Sequence, residues 1–570
     1  MDNTPSTGKD ELAGAITRLT TELQTAQQHN NRPLCQEILS NAVLAFETDP
    51  EALDRTLFDV FGTVVHFASS ECCNLVQRYL QLVSDHCSGR EVMTLLMSSL
   101  DNISGSVWQA ESTLLADAAI NVLSKLKRQQ TRLLADYLQV FLNATETVIL
   151  SEALLKSTAS TLLGLQKMLP PISQEKHAHE NQKLSSCFAL QLMLQHTLTQ
   201  PMQQTHEFHR APDYNADLPN QTQHKHLHNE SSLHLKLVQC LVKWLQHWHC
   251  GTCKQLMFLL DSLHDPESSS KLLPVDDVPF LDINQLRVAA ALVTYAIYCV
   301  PGCAATGSAA NPHLASPETA EDIMSATQQH AGLLLHVASD QQDVVIAQKG
   351  MALIAAAANQ VAAFPQGGKA ALSSSVQSLA ECLEITMVQH PLLSLRNMAF
   401  WSLDALLNAL QVQASVQITQ QLINSQSPGV AALMLHRLQQ QADRCWGQAS
   451  DRRWQLLQPI LVNSAMAWLD PDGKHGWAPP MSPMSNIEPI CAALNLCRFL
   501  ILREIANNSN ITQICTPEIS KQLQINTGLL AVALQAQMQI ETSADVEMIL
   551  AVSRGMEVLS RIRELLAKQD

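Results

Sequence analysis

Between Val376 and Ala442 the chain alternates helical stripes with breaks, and this rhythm limits the possible folds more than any other feature. Val376, Leu379, Leu383 and Met387 recur at i, i+3, i+7 and i+11, which is one apolar stripe of a helix. His390-Pro391 stops that helix, because the residue before a proline is pushed out of the helical region. A second run carries Pro391, Leu395, Arg396, Ala399, Leu403 and Leu406. A third, Val416 to Ile423, closes at Asn424, and Ser427-Pro428-Gly429 breaks the chain before Val430 to Ala442 begins again. Helix and break at short, regular intervals predict stacked helix pairs, each burying its stripe against its neighbours.

The second run has the spacing P-x3-[VL]-R-x2-A-x3-L-x2-L and resembles the second helix of a HEAT repeat. At this position an arginine ordinarily bonds to a neighbouring repeat, so Arg396 joins Pro391, Leu395, Ala399, Leu403 and Leu406 as a structural signature. Ile346, Gly350 and Ile354 repeat the i, i+4, i+8 spacing of Leu395, Ala399 and Leu403, about one repeat upstream. The fold class expected is all-α, a HEAT/armadillo-like helical-repeat solenoid in two subdomains.

The rest of the chain keeps the same pattern. After a polar tail at residues 1–9, helical stripes follow one another to Pro170-Pro171, and no segment alternates with period two over a useful length. Gly62 interrupts a helix around Leu57 to Ser69, and close approach of a neighbouring helix is the expected reason. Residues 200–230 are rich in Gln, Asn and His and read as a loop. The segment 266–282 holds three prolines and several acids, which marks a linker. The expected subdomains are therefore 10–265 and 283–570.

With 570 residues, the chain exceeds what one core supports. Its apolar content is mostly Leu and Ala, and aromatics are only 4%, a balance that suits helices better than sheets. There are 52 acidic against 36 basic residues, a net charge of −16. That balance argues against nucleic acid or anionic membrane as a partner, since both need a basic face. Many of the 15 cysteines, including Cys72, Cys73, Cys187, Cys240, Cys382 and Cys497, lie in apolar helical runs and read as small buried hydrophobes in a reducing compartment. The first residues lack the apolar core of a signal peptide, and the apolar run Val288 to Val300 is too short to span a bilayer. A cytoplasmic, monomeric protein is expected.

Chemistry-bearing motifs are sparse. Cys250-Gly251-Thr252-Cys253 is a C-x-x-C beside His247 and His249, but no second ligand pair completes a zinc site and no βαβ context supports a redox motif. His206, His209, His224, His226 and His228 lie in the polar loop and read as a His-rich linker. Gly367-Gly368-Lys369 lacks the upstream Gly and following Ser/Thr of a phosphate loop. The chain is thus expected not to be an enzyme and to need no cofactor or metal.

Several strings in the second half resemble the glomulin family, which includes the plant aberrant lateral root formation proteins. They are Val345 to Met351, His390 to Leu410, Ser427 to Val430, Ala493 to Leu500 and the closing Arg561 to Leu566. Phe61 to Val65 and the helix order extend the resemblance into the first half. The resemblance implies HEAT-like repeats and a C-terminal subdomain that binds the RING-box subunit of cullin–RING ubiquitin ligases. It implies inhibition by covering the surface where the ubiquitin-conjugating enzyme docks, with no cofactor. Arg437, Asn495, Arg498 and Arg503 lie near apolar stripes at the helix surface and are the candidate contacts, with intramolecular bonding an equal alternative. The competing expectation is a generic HEAT/armadillo scaffold or adaptor. A regular ladder of groove-lining Trp and Asn would favour it, and Trp401, Trp446, Trp454 and Trp468 have no constant period.

Overall fold

The computed structural model describes residues 32–65, 72–102, 110–126, 130–146, 152–168, 176–198, 235–245, 282–300, 319–364, 369–425, 427–448, 451–473, 486–540 and 546–567, with scattered positions among 18–26 and at 475. The expected tail at 1–9, the 200–230 loop and the Cys250–Cys253 motif with its flanking histidines all lie outside the described residues. So does the 266–282 linker, save Asp282.

The protein is an all-α helical-repeat solenoid, and no strand occurs among the described residues. In chain order the helices are α1 (Arg32–Thr48), α2 (Pro50–Val65), α3 (Cys73–His86), α4 (Gly89–Asn102), α5 (Ala110–Lys125), α6 (Gln130–Glu146), α7 (Glu152–Met168), α8 (Lys176–Thr197) and α9 (Ile283–Cys299). They continue as α10 (Ala320–Gln341), α11 (Val344–Ala362), α12 (Ser374–Gln389), α13 (Leu393–Ala409), α14 (Val412–Ile423), α15 (Pro428–Cys445), α16 (Arg452–Leu469), α17 (Ile487–Asn507), α18 (Pro517–Ile540) and α19 (Val546–Ala567).

Local chemistry explains where these helices start. Asp282 accepts from Asn284 N at the head of α9, Ser373 from Val376 N at α12, and Asp451 from Arg453 N at α16. Thr319 and Asp322 exchange hydrogen bonds as a capping box at α10. Pro428 takes the first helical position of α15, where a missing N–H costs nothing.

Two compact units arise. The first comprises residues 1–315 and 333–349, the second 316–332 and 350–570, so the division runs through α10 and α11. This differs from the boundary expected at 266–282. Loop composition marks where the chain is irregular, but packing decides membership. α9 packs on α8, with Gln191 donating to Gln285 across the pair, and so belongs to the first unit. Lys349, near the start of α11, also belongs there. Its ammonium donates to the carbonyls of Thr197 and Leu198 at the end of α8.

Within the first unit the helices stack in two layers, α1–α3–α5–α7 and α2–α4–α6–α8. Trp244 Nε1 donates to Leu162 O at 3.0 Å and ties the 235–245 helix to α7. The close approach expected at Gly62 occurs elsewhere. Gly62 is exposed, and an added Cβ would meet nothing within 4 Å. At Gly164 of α7, in contrast, an added Cβ would overlap Ile120 of α5.

The second unit repeats the arrangement, with layers α14–α16–α18 and α15–α17–α19 beside the tight pair α12–α13. Leu395, Ala399, Leu403 and Leu406 are fully buried and form the inner stripe of α13, as the spacing predicts. Ser402 Oγ donates to Met351 O, and Trp468 Nε1 to Ile423 O, each at 3.1 Å, pinning α13 to α11 and α16 to α14. Among the described helices, α11 alone is long and apolar enough to cross a bilayer, but 72% of that stretch is buried within the molecule. Its apolar surface is core.

Candidate functional site

In the second unit a groove of about 680 Å³ lies between α12, α13 and α15, with Glu488 of α17 at its end. A second hollow of about 350 Å³ continues it across α15, α17 and α19, and His436 and Glu488 line both. The apolar wall comes from Met387 and Val388 on α12, Leu393 and Phe400 on α13, and Val430 and Leu433 on α15. Leu393 is 60% exposed and Leu433 39%, although each inner stripe is sealed. Val388, Leu393 and Leu433 thus expose apolar surface around the groove, whereas Met387 and Val430 lie buried at its base.

The polar groups sit at defined places. Glu488 reaches the N-terminus of α15, where its Oε2 lies 3.4 Å from the position a Gly429 Cβ would take. A carboxylate is favourable there, because the helix dipole is positive at that end. His436 shares a hydrogen bond of 3.0 Å with Gln440. Asn495 is exposed on the floor of the second hollow, with Arg554 of α19 opposite.

The candidate residues separate. Asn495 is at the surface and lines the groove. Arg498 is half-buried one helical turn further on. Arg503 pairs with Asp443 of α15 and places its guanidinium 5.6 Å from the Phe499 ring centroid, which commits much of it to the fold. Arg437 is corrected outright. It is 5% exposed, pairs with Asp404, and donates to Asn408 Oδ1 at 3.1 Å, so it clamps α15 onto α13 and offers no free head group to a partner.

Arg396 is corrected in the opposite sense. It lines the groove, and its Nε has no acceptor among the described residues. The bond between repeats that the HEAT pattern assigns to Arg396 is made by Arg437 instead. Sequence reasoning missed Phe400, Leu433 and Val388. The available signal was a second apolar line on α13, Leu393 and Phe400 at i, i+7, offset from the core stripe. Of the four tryptophans, Trp401 is exposed, Trp454 and Trp468 are buried, and Trp446 packs between Trp454 and Phe499. They form no ladder along the groove.

No group of three or more His, Cys, Asp or Glu side chains able to hold a metal occurs among the described residues. The described cysteines are unbridged, and Cys72, Cys187 and Cys497 are buried while Cys73, Cys240 and Cys382 are half-buried. Burial pushes the Cys497 thiol up to about 12.

No family model and no curated protein matches this chain. Among solved structures, a "Circular tandem repeat protein with novel repeat topology and enhanced subunit contact surfaces" aligns over 98% of this chain and 97% of its own, with 11% identity and a TM-score of 0.22. A score that low defines no shared fold, so the solenoid assignment stands on the helix packing described above.

Proposed function

We propose that the second unit is a protein-docking surface for the RING-box subunit of cullin–RING ubiquitin ligases, and that it blocks the ligase by masking the face where the ubiquitin-conjugating enzyme docks. The observation that carries this reading is the groove. It presents an apolar wall with a polar rim in the half of the chain that holds the strings resembling the glomulin family. A conjugating enzyme needs a small apolar patch on the RING domain, and Phe400, Leu433 and Val388 offer complementary chemistry to such a patch. Asn495, Arg498 and Arg396 supply rim contacts, and buried aromatic and arginine anchors are where interface energy concentrates. The mechanism is steric and takes place in the cytoplasm without a cofactor.

The test is a binding titration of the intact chain with a purified RING–cullin complex, beside a ubiquitin-chain assay. Inhibition should be relieved by excess conjugating enzyme, as competition for one site demands. Leu433→Asp should weaken binding and leave the melting curve in place. Failure of the wild-type chain to bind any RING–cullin complex would remove this function and favour a scaffold whose groove takes another protein.

A further inference from the structure

A separate corner of the second unit concentrates positive charge within a strongly acidic chain. Arg437 and Arg444 lie seven residues apart on α15 and so share a face. Arg452 and Arg453 occupy the first turn of α16, which contains no acidic residue. Cations there oppose the helix dipole, whose positive end points the same way. α15 and α16 pack on each other, which brings the two sets together. Arg453 and Arg444 both act electrostatically on the buried Arg437 guanidinium.

The neighbouring carboxylates are already engaged. Asp404 pairs with Arg437, Asp443 with Arg503, and Asp451 accepts from Arg453 N at 2.7 Å. Among the described residues no carboxylate pairs with the side chains of Arg444, Arg452 or Arg453, and the buried Nε of Arg437 has no acceptor. Arg444 and Arg452 are exposed and Arg453 half-buried, so two exposed guanidinium forks and a half-buried one lie where α15 ends and α16 begins. Beside them, Trp446 packs against Trp454 with ring centroids 5.1 Å apart.

We propose that this α15–α16 corner is a docking site for an acidic segment of a partner protein, distinct from the groove. The arginines outnumber the carboxylates among them, so the excess positive charge repels itself in the free chain and an arriving anion relieves it. Guanidinium forks match carboxylates in a bidentate geometry. An acidic peptide fits the scale of the corner better than nucleic acid does. The charge is confined to one helix end and one helix start, the length of a short run of carboxylates, whereas a polynucleotide needs an extended basic track.

The experiment uses the intact chain and a fluorescein-labelled deca-glutamate peptide, read by fluorescence anisotropy at low and high salt. Binding should appear at low salt and weaken as salt screens it. Arg444→Glu with Arg453→Glu should lower affinity by about tenfold or more, because each reversal replaces an attraction with a repulsion. That variant should keep the wild-type melting curve. Reversing the exposed Arg78 and Arg90 of the first unit should leave peptide affinity unchanged. The milder Arg444→Gln with Arg453→Gln should show the same loss in smaller measure, which covers any misfolding of the reversed form. Absence of binding at low salt, equal binding by both corner variants and wild type, or tighter binding of a single-stranded oligonucleotide would each overturn the proposal. Binding of a RING–cullin complex is read separately. Its loss with peptide binding retained would bear on the groove and leave the corner standing.

Discussion

Glycine-to-alanine substitutions at positions 62 and 164 should move stability in opposite directions. Both residues lie inside helices of the first unit, so on helix propensity alone each alanine gains about 0.5–1 kcal/mol. At Gly62 nothing stands within 4 Å of the added methyl, and the whole gain should be realised. At Gly164 the methyl would overlap Ile120 Cγ2 and lie 2.9 Å from Cγ1. Ile120 is itself buried, at 7% exposure, so it cannot swing clear. Forcing a methyl into a packed core costs about 1–3 kcal/mol, which offsets the propensity gain and leaves a net loss of up to about 2.5 kcal/mol. Urea unfolding followed by far-ultraviolet circular dichroism reads both. A double-mutant cycle sharpens the result, because Ile120→Ala opens the space that Gly164→Ala fills, giving a coupling of about 1 kcal/mol or more. Stabilisation by Gly164→Ala equal to that by Gly62→Ala, with no coupling to Ile120, would refute the packing of α7 on α5.

Three further outcomes are expected. Leu403→Ala and Leu406→Ala should each cost about 2–5 kcal/mol, because both side chains are fully buried in the α13 stripe, and an unchanged melting temperature would show the register to be wrong. Burial tends to raise the Glu504 pKa, but hydrogen bonds from Ser509, Thr512 and Ile511 outweigh it and hold the carboxylate below its ordinary range. Its stabilisation is present above the unfolded pKa of about 4.3 and fades as pH falls through the lower folded value, so Glu504→Gln, which leaves buried donors short of an acceptor, should lose about 1–3 kcal/mol at neutral pH and flatten the acid limb of a pH–stability curve. Burial lowers the Lys349 pKa to about 7 against the opposing pull of Asp343, so above that pH the unfolded chain binds the extra proton. Stability should therefore rise with pH from about 7 to about 10, and a Lys349→Met variant whose pH profile kept that rise would rule the residue out as its source.

Much of the fold was legible because helix periodicity and chain breaks are local properties. Arg452 to Leu469 was readable to the residue, since Asp451 supplies a cap before the first apolar position and Asp470 follows the last. The division between units was not legible, because it depends on packing between distant segments. The Pro-rich stretch before Ile283 looks like a border, yet the Ala-rich α9 buries itself against α8. Gly62 and Gly164 make the same point at one atom's scale. Both are glycines in helical runs, and the difference between them is whether Ile120 of another helix stands opposite.

The site shows why charged residues are the hardest to assign. Arg396 and Arg437 both sit one position from an apolar stripe, so periodicity gives them the same description. Their fates are set by what the neighbouring helix offers. Asp404 and Asn408 of α13 face α15, so an arginine descending from Arg437 finds a carboxylate and an amide and is drawn under cover. Arg396 is two turns earlier on that helix, level with Pro428 to Leu433, where α15 presents apolar side chains and its own N-terminal end. A guanidinium finds no acceptor there, and the positive end of α15 is already answered by Glu488. The exchange of roles thus follows from one asymmetry along α13, acidic and polar near its C-terminal end and apolar near its start. That same asymmetry separates the clamp that fixes the two helices from the groove that they leave open.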